Sequence, residues 1–137
     1  VQLGRLDEIV RRRRVIAALY TSEIATIPGL RAVADPSWGE TNFQSFWIEV
    51  EPTFATTRDG LLEILAEADI SARRGIMSSH RQPAYRDVDA GTATLAVTER
   101  LTNNTLILPV FHQMTAGEQD RVIAALRGSS TEPVTAP

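Results

Sequence analysis

Residues 73 to 85 gather Arg73, Arg74, Ser78, Ser79, His80, Arg81 and Tyr85, side chains able to hold anions or move protons. Two or more guanidinium groups in one place can grip a phosphate or a carboxylate through paired N–H donors. The imidazole of His80 can shuttle a proton or bond a sugar hydroxyl. The cluster falls where an apolar segment runs into a polar loop, a position that commonly carries binding groups. The same composition also suits a solvated loop, and the residue types alone leave both readings open.

Much other chemistry is excluded. The sequence contains no dinucleotide-binding glycine fingerprint, phosphate-binding P-loop, serine elbow or paired-histidine zinc motif. His80 and His112 lie far apart, and neither has a ligand partner at metal-binding spacing. Cysteine is absent, which removes disulfides and thiolate sites. All 14 basic residues are arginine, so no side chain here can form a Schiff base or act as a lysine base. The net charge of -3 argues against nucleic-acid binding. No apolar run approaches the roughly 18 residues of a membrane span, and no secretion signal opens the sequence. A cytoplasmic location is the expectation. Asn103-Asn104-Thr105 matches a glycosylation acceptor but leads into an apolar strand, and it is set aside.

The elements that must position the cluster follow from periodicity. Leu3, Leu6, Ile9, Val10, Ile16, Ala17 and Tyr20 fall on one side of a long opening helix, residues 1–22. No start signal precedes it, as expected of a chain cut from a longer polypeptide. Residues 27–42 read as an irregular connection. Phe46, Ile48 and Val50 then alternate with Ser45, Trp47, Glu49 and Glu51, the pattern of a half-buried strand. Thr57 is placed to cap a helix whose buried stripe is Leu61, Leu62, Leu65 and Ala68. Residues 70–77 suggest a strand, 78–91 a polar loop that also holds Arg86 and two aspartates, 94–103 a helix, and 105–110 a strand. Thr115 and Glu118 form a capping box for a last helix carrying Val122, Ile123 and Leu126, with Gly128 suited to its C′ position. The fold class is therefore α/β or α+β, a small sheet covered by helices. Residues 1–128 form one domain and 129–137 a flexible tail.

Three further features bear on function. Arg11, Arg12 and Arg14 read as a solvated face, whereas Arg13 falls inside the apolar arc of the opening helix. It must pair or snorkel there, in a structural ion pair or on a ligand's anionic group. Trp38 and Trp47 suit either half-buried packing or a contact surface.

The segment Ser71-Ala72-Arg73-Arg74-Gly75-Ile76, followed by His80-Arg81-Gln82-Pro83-Ala84-Tyr85, resembles the "GI-x-T-R … H-x-Q-P-x-Y" stretch of DegT/StrS-type sugar aminotransferases. Asp69-Ile70 stands where that pattern has Gly-Ile. Gln2-Leu3-x-x-Leu6-Asp7 with Arg13-Arg14-x-Ile16-Ala17-x-x-Tyr20 is similar to the helix that leads into the family's C-terminal domain. Leu108-Pro109 with Met114-Thr115-x-x-Glu118 is similar to its closing signature. The resemblance runs in order over residues 2 to about 127.

It implies the small C-terminal domain of a fold-type-I transferase that uses pyridoxal 5'-phosphate (PLP). Such enzymes move an amino group from glutamate or glutamine to a keto sugar, typically nucleotide-linked, as homodimers. The PLP-binding lysine belongs to the large domain, so this chain is expected to carry neither the cofactor nor catalysis by itself. His80 and Tyr85, with Arg73 and Arg81, become the expected substrate contacts. An isolated small domain would bare an apolar helix face and self-associate. The competing expectations are a stand-alone α+β module holding an anion on its arginine-rich loop, and a packing or dimerisation module.

Overall fold

A computed structural model describes residues 3–85 and 95–130. After one 3-10 turn, Leu3–Arg5, helix α1 runs over Leu6–Ile24. Strands β1 (Leu30–Ala32) and β2 (Phe46–Val50) follow, then α2 (Arg58–Glu67) and the two-residue β3 (Arg73–Arg74). Two 3-10 turns (Ser79–Arg81 and Pro83–Tyr85), α3 (Ala96–Asn104), β4 (Thr105–Leu108) and α4 (Ala116–Gly128) complete the order. The strands form one antiparallel sheet, ordered β1-β2-β4-β3.

The alternation in β2 decides which side of the sheet is core. Phe46, Ile48 and Val50 are buried, and the register places Phe46 opposite Leu108 and Ile48 opposite Leu106. This face packs against Tyr20 and Ile24 of α1, Leu61 and Leu65 of α2, and Val122 and Leu126 of α4. Tyr20 is wholly buried; its hydroxyl donates to the Pro109 carbonyl at 3.1 Å and its ring lies 5.2 Å from that of Phe46. Burial pushes the Tyr20 phenol well above the ordinary tyrosine range, because the anion would lose its water. Among the described residues, no helix is long and apolar enough to cross a membrane.

Both helix caps read from sequence form: Thr57 accepts from Gly60 N, and Thr115 and Glu118 bond reciprocally. Hydrogen bonds from the Thr115 backbone and then its hydroxyl hold the Glu118 carboxyl below its usual range. Several expectations change. The connection over 27–42 contains β1, recruited by pairing Leu30 with Val50 and Ala32 with Ile48. Gly29 makes this turn possible: its φ is +81°, and a Cβ there would meet the Phe54 backbone at 2.7 Å. The strand expected over 70–77 shrinks to Arg73–Arg74, with Ile76 and Met77 exposed.

Leu3 and Leu6, placed on the apolar side of the opening helix, are exposed; among the described residues nothing covers the first two turns of α1. Val15 and Leu19 are exposed as well. Gly128 sits inside the last turn of α4; Ser129 caps it in right-handed geometry, its hydroxyl donating to Leu126 O. No left-handed C′ residue is needed there. Residues 131–137 of the expected tail lie outside the described residues.

Candidate functional site

The segment read as the site is anchored at its start by a close approach. Gly75 N donates to Thr105 O at 3.2 Å, continuing the edge pairing of β3 on β4. A Cβ at Gly75 would fall 2.3 Å from Thr105 Oγ1 and 2.7 Å from the Trp47 ring, so only glycine brings the chain this near. Arg74 reaches Asp59 of α2 at 3.2 Å. Arg73 projects beside Trp47, Ile76 and Ile107, in a shallow recess that Thr41, Asn42 and Ser45 complete. It forms no ion pair among the described residues.

Beyond Met77 the loop folds onto itself. Gln82 donates from its side chain to Ser78 O at 3.1 Å and from its backbone to Ser79 O, while Tyr85 N donates to Gln82 O. These bonds build the two 3-10 turns. They set His80 and Arg81 against α3, where Glu99 receives both: Oε1 lies 3.1 Å from His80 Nε2 and Oε2 lies 3.2 Å from Arg81 Nη2. Arg81 Nη1 also donates to Asn103 Oδ1 at 2.8 Å. Asn103 is one turn beyond Glu99 on the same helix, so one face of α3 clamps the first 3-10 turn.

Of the four residues read as substrate contacts, the structure joins His80 and Arg81 through Glu99. Arg73 stands apart at the sheet edge, and Tyr85 follows one turn later, half exposed and without a side-chain hydrogen bond among the described residues. Ser78 Oγ is buried and has no hydrogen-bond partner among the described residues. Arg86, the two aspartates and Gly91, placed in the same loop by the sequence, lie outside the described residues.

The outer face of the sheet holds a second polar group that the sequence pattern concealed. Glu49 points away from the core yet is only 3% exposed, because Arg31 and Arg100 both pair with it. Strand alternation marked it as solvated, and no local signal announced partners on β1 and α3. Of the arginine run on α1, Arg14 pairs with Glu40 at 2.6 Å and Arg12 donates to His112 O. Arg13 is half buried; its Nε finds no hydrogen-bond partner, and no ion pair forms among the described residues. Trp38 is exposed and Trp47 half buried. Among the described residues, no cluster of potential metal ligands forms.

The sequence model of the DegT/DnrJ/EryC1/StrS aminotransferase family matches residues 1–127. The chain belongs to this family. Solved members share its fold. The aminotransferase TlmJ from Streptoalloteichus hindustanus is 28% identical with a TM-score of 0.81, and the match covers 94% of this chain and 34% of TlmJ. DesV from S. venezuelae is 25% identical, TM-score 0.84, covering 95% and 34%. DesI, solved in the presence of its TDP-sugar product, is 26% identical, TM-score 0.84, covering 95% and 33%. The chain thus spans about a third of the length of these aminotransferases.

The family's cofactor is PLP, and the residues of this chain do not fit its covalent attachment. Its basic side chains are all guanidinium groups, which stay protonated and do not condense with an aldehyde. What the four residues offer is a fixed imidazole, a braced guanidinium, a second guanidinium with no ion pair among the described residues, and an exposed phenol.

Proposed function

We propose that this chain is the C-terminal, substrate-facing domain of a PLP-dependent aminotransferase that acts on a nucleotide-linked keto sugar. The single observation that carries the reading is the family match over residues 1–127. The TDP-sugar product named with DesI supports the nucleotide-linked substrate. In this reading the rest of the subunit anchors PLP, and the domain is inactive alone. Glutamate or glutamine supplies the amino group, the working enzyme is a cytoplasmic homodimer, and its own large domain covers the exposed first turns of α1.

Within such an enzyme the chain's residues bind and orient rather than transform. His80 and Tyr85 hydrogen-bond sugar hydroxyls. Arg73 and Arg81 meet anionic oxygens, as guanidinium groups favour. Residues that bind ground and transition states alike lower KM without moving kcat, so their loss shows in KM.

The test is turnover by the whole subunit containing this chain, given glutamate and a TDP-linked keto sugar. The expected result is an amino sugar product, with KM for the sugar raised about tenfold in His80→Ala, the loss of one good hydrogen bond. Absence of turnover on any nucleotide-linked keto sugar would refute the substrate class. An unchanged KM in His80→Ala would refute the assignment of that residue.

A further inference from the structure

We infer that Glu99 is a positioning residue: it fixes the tautomer of His80 and holds His80 and Arg81 in the orientation that faces substrate. The inference rests on the reading of His80 as a substrate contact.

Helix α3 has no buried residue, so apolar packing does not fix it. Polar ties do so instead. Arg100 joins it to the buried Glu49 of β2 at 3.1 Å. Arg58 of α2, nearly buried, donates to the carbonyls of Thr102 at 3.1 Å and Thr105 at 3.2 Å. The Thr105 hydroxyl donates to Leu101 O at 2.6 Å, closing the helix end. Glu99 therefore stands on a braced element, immediately before the residue that braces it to the sheet.

Its two oxygens are divided between two partners on the loop, one for His80 and one for Arg81. An ionised carboxylate only accepts hydrogen bonds. A neutral His80 must then carry its proton on Nε2, the nitrogen facing Glu99, and keep the Nδ1 lone pair for an incoming donor. A sugar hydroxyl is such a donor. Arg81, held at Nη2 by Glu99 and at Nη1 by Asn103, is fixed in the plane of that fork. Glu99 so acts on substrate through two other side chains.

The experiment compares Glu99→Gln, Glu99→Ala, His80→Ala and the Glu99→Gln/His80→Ala pair in the whole subunit. Glu99 is 41% exposed, so these variants should keep the fold, checked by circular dichroism. Nitrogen-15 spectra of the imidazole should show neutral His80 as the Nε2–H tautomer in the parent and a mixture in Glu99→Gln, since an amide both donates and accepts. KM for the sugar should rise about tenfold in Glu99→Gln with kcat within about twofold, and the pair should lose more than His80→Ala alone, through Arg81, but less than the two single losses multiplied.

A purely structural Glu99 would leave the tautomer unchanged. That result, or an unchanged KM in Glu99→Gln beside a raised KM in His80→Ala, overturns the inference. If His80→Ala itself leaves KM unchanged, the substrate reading fails first and the inference with it; that single variant separates the two failures.

Discussion

Replacing Asp69 by glycine should stabilise this domain, a test of how the chain turns from α2 towards its site. Asp69 has φ of +55°. Its N–H donates to Ala66 O at 3.0 Å, and that of Ile70 donates to Leu65 O at 2.9 Å. This bond pair is the Schellman motif, with Asp69 at C′ and buried Ile70 at C″. An L-residue in the left-handed region costs about 1–2 kcal/mol, with aspartate near the low end because its short polar side chain tolerates the region. Asp69 is exposed and makes no side-chain hydrogen bond among the described residues, so little else is lost. Glycine gives back roughly 0.5–1 kcal/mol as extra freedom of the unfolded chain. The net gain is about 0.5 kcal/mol, or roughly 2 °C in Tm for a domain of this size. Urea unfolding followed by circular dichroism measures it, with Asp69→Ala as control. Alanine keeps the strain without aspartate's tolerance and should unfold earlier. A Gly variant no more stable than the parent, or an Ala variant equal to Asp69, would refute this account of the turn.

Two further predictions concern the core and the last helix. Tyr20→Phe leaves the Pro109 carbonyl unpaired and should cost about 1–3 kcal/mol in unfolding experiments. Because burial raises the folded-state pKa of Tyr20, its contribution is complete below the ordinary value of 10.0 and is lost as pH climbs above it; Tyr20→Phe should flatten that alkaline limb. Glu118 is shifted the other way, so its contribution is present above the usual carboxylate range and disappears as pH falls through its depressed value. Glu118→Gln should therefore unfold with a shallower dependence on acid, and an unaltered acid limb would count against the capping box.

Features that depend on near neighbours in sequence were legible. Thr57, and Thr115 with Glu118, bond within one helical turn, and both caps formed where they were read. The alternation of Phe46, Ile48 and Val50 marked the core face because side chains on a strand repeat every two residues. What the sequence concealed depends on distant partners. β1 is three residues long and exists through pairing with β2, so it has no period of its own. Glu49 looks solvated until Arg31 and Arg100 arrive from other elements. Asp69 occupies a left-handed position that only its place after α2 reveals.

The site divides in the same way. His80 and Arg81 were readable as a chemical cluster, while Glu99 and Asn103 became partners only when α3 was set beside the loop. Leu3 and Leu6 share the apolar arc of α1 with Ile16, Ala17 and Tyr20, yet only the latter three are buried, because an arc gives the side of a helix and not what packs against it.

Peptide mass mapping after borohydride reduction with PLP tests most directly whether catalysis requires more than this domain. The 137-residue chain should carry no pyridoxyl group on any side chain, whereas the whole subunit should carry one on a lysine outside residues 1–137. A pyridoxyl adduct on a side chain within residues 1–137, or amino transfer by this chain alone, would contradict the account.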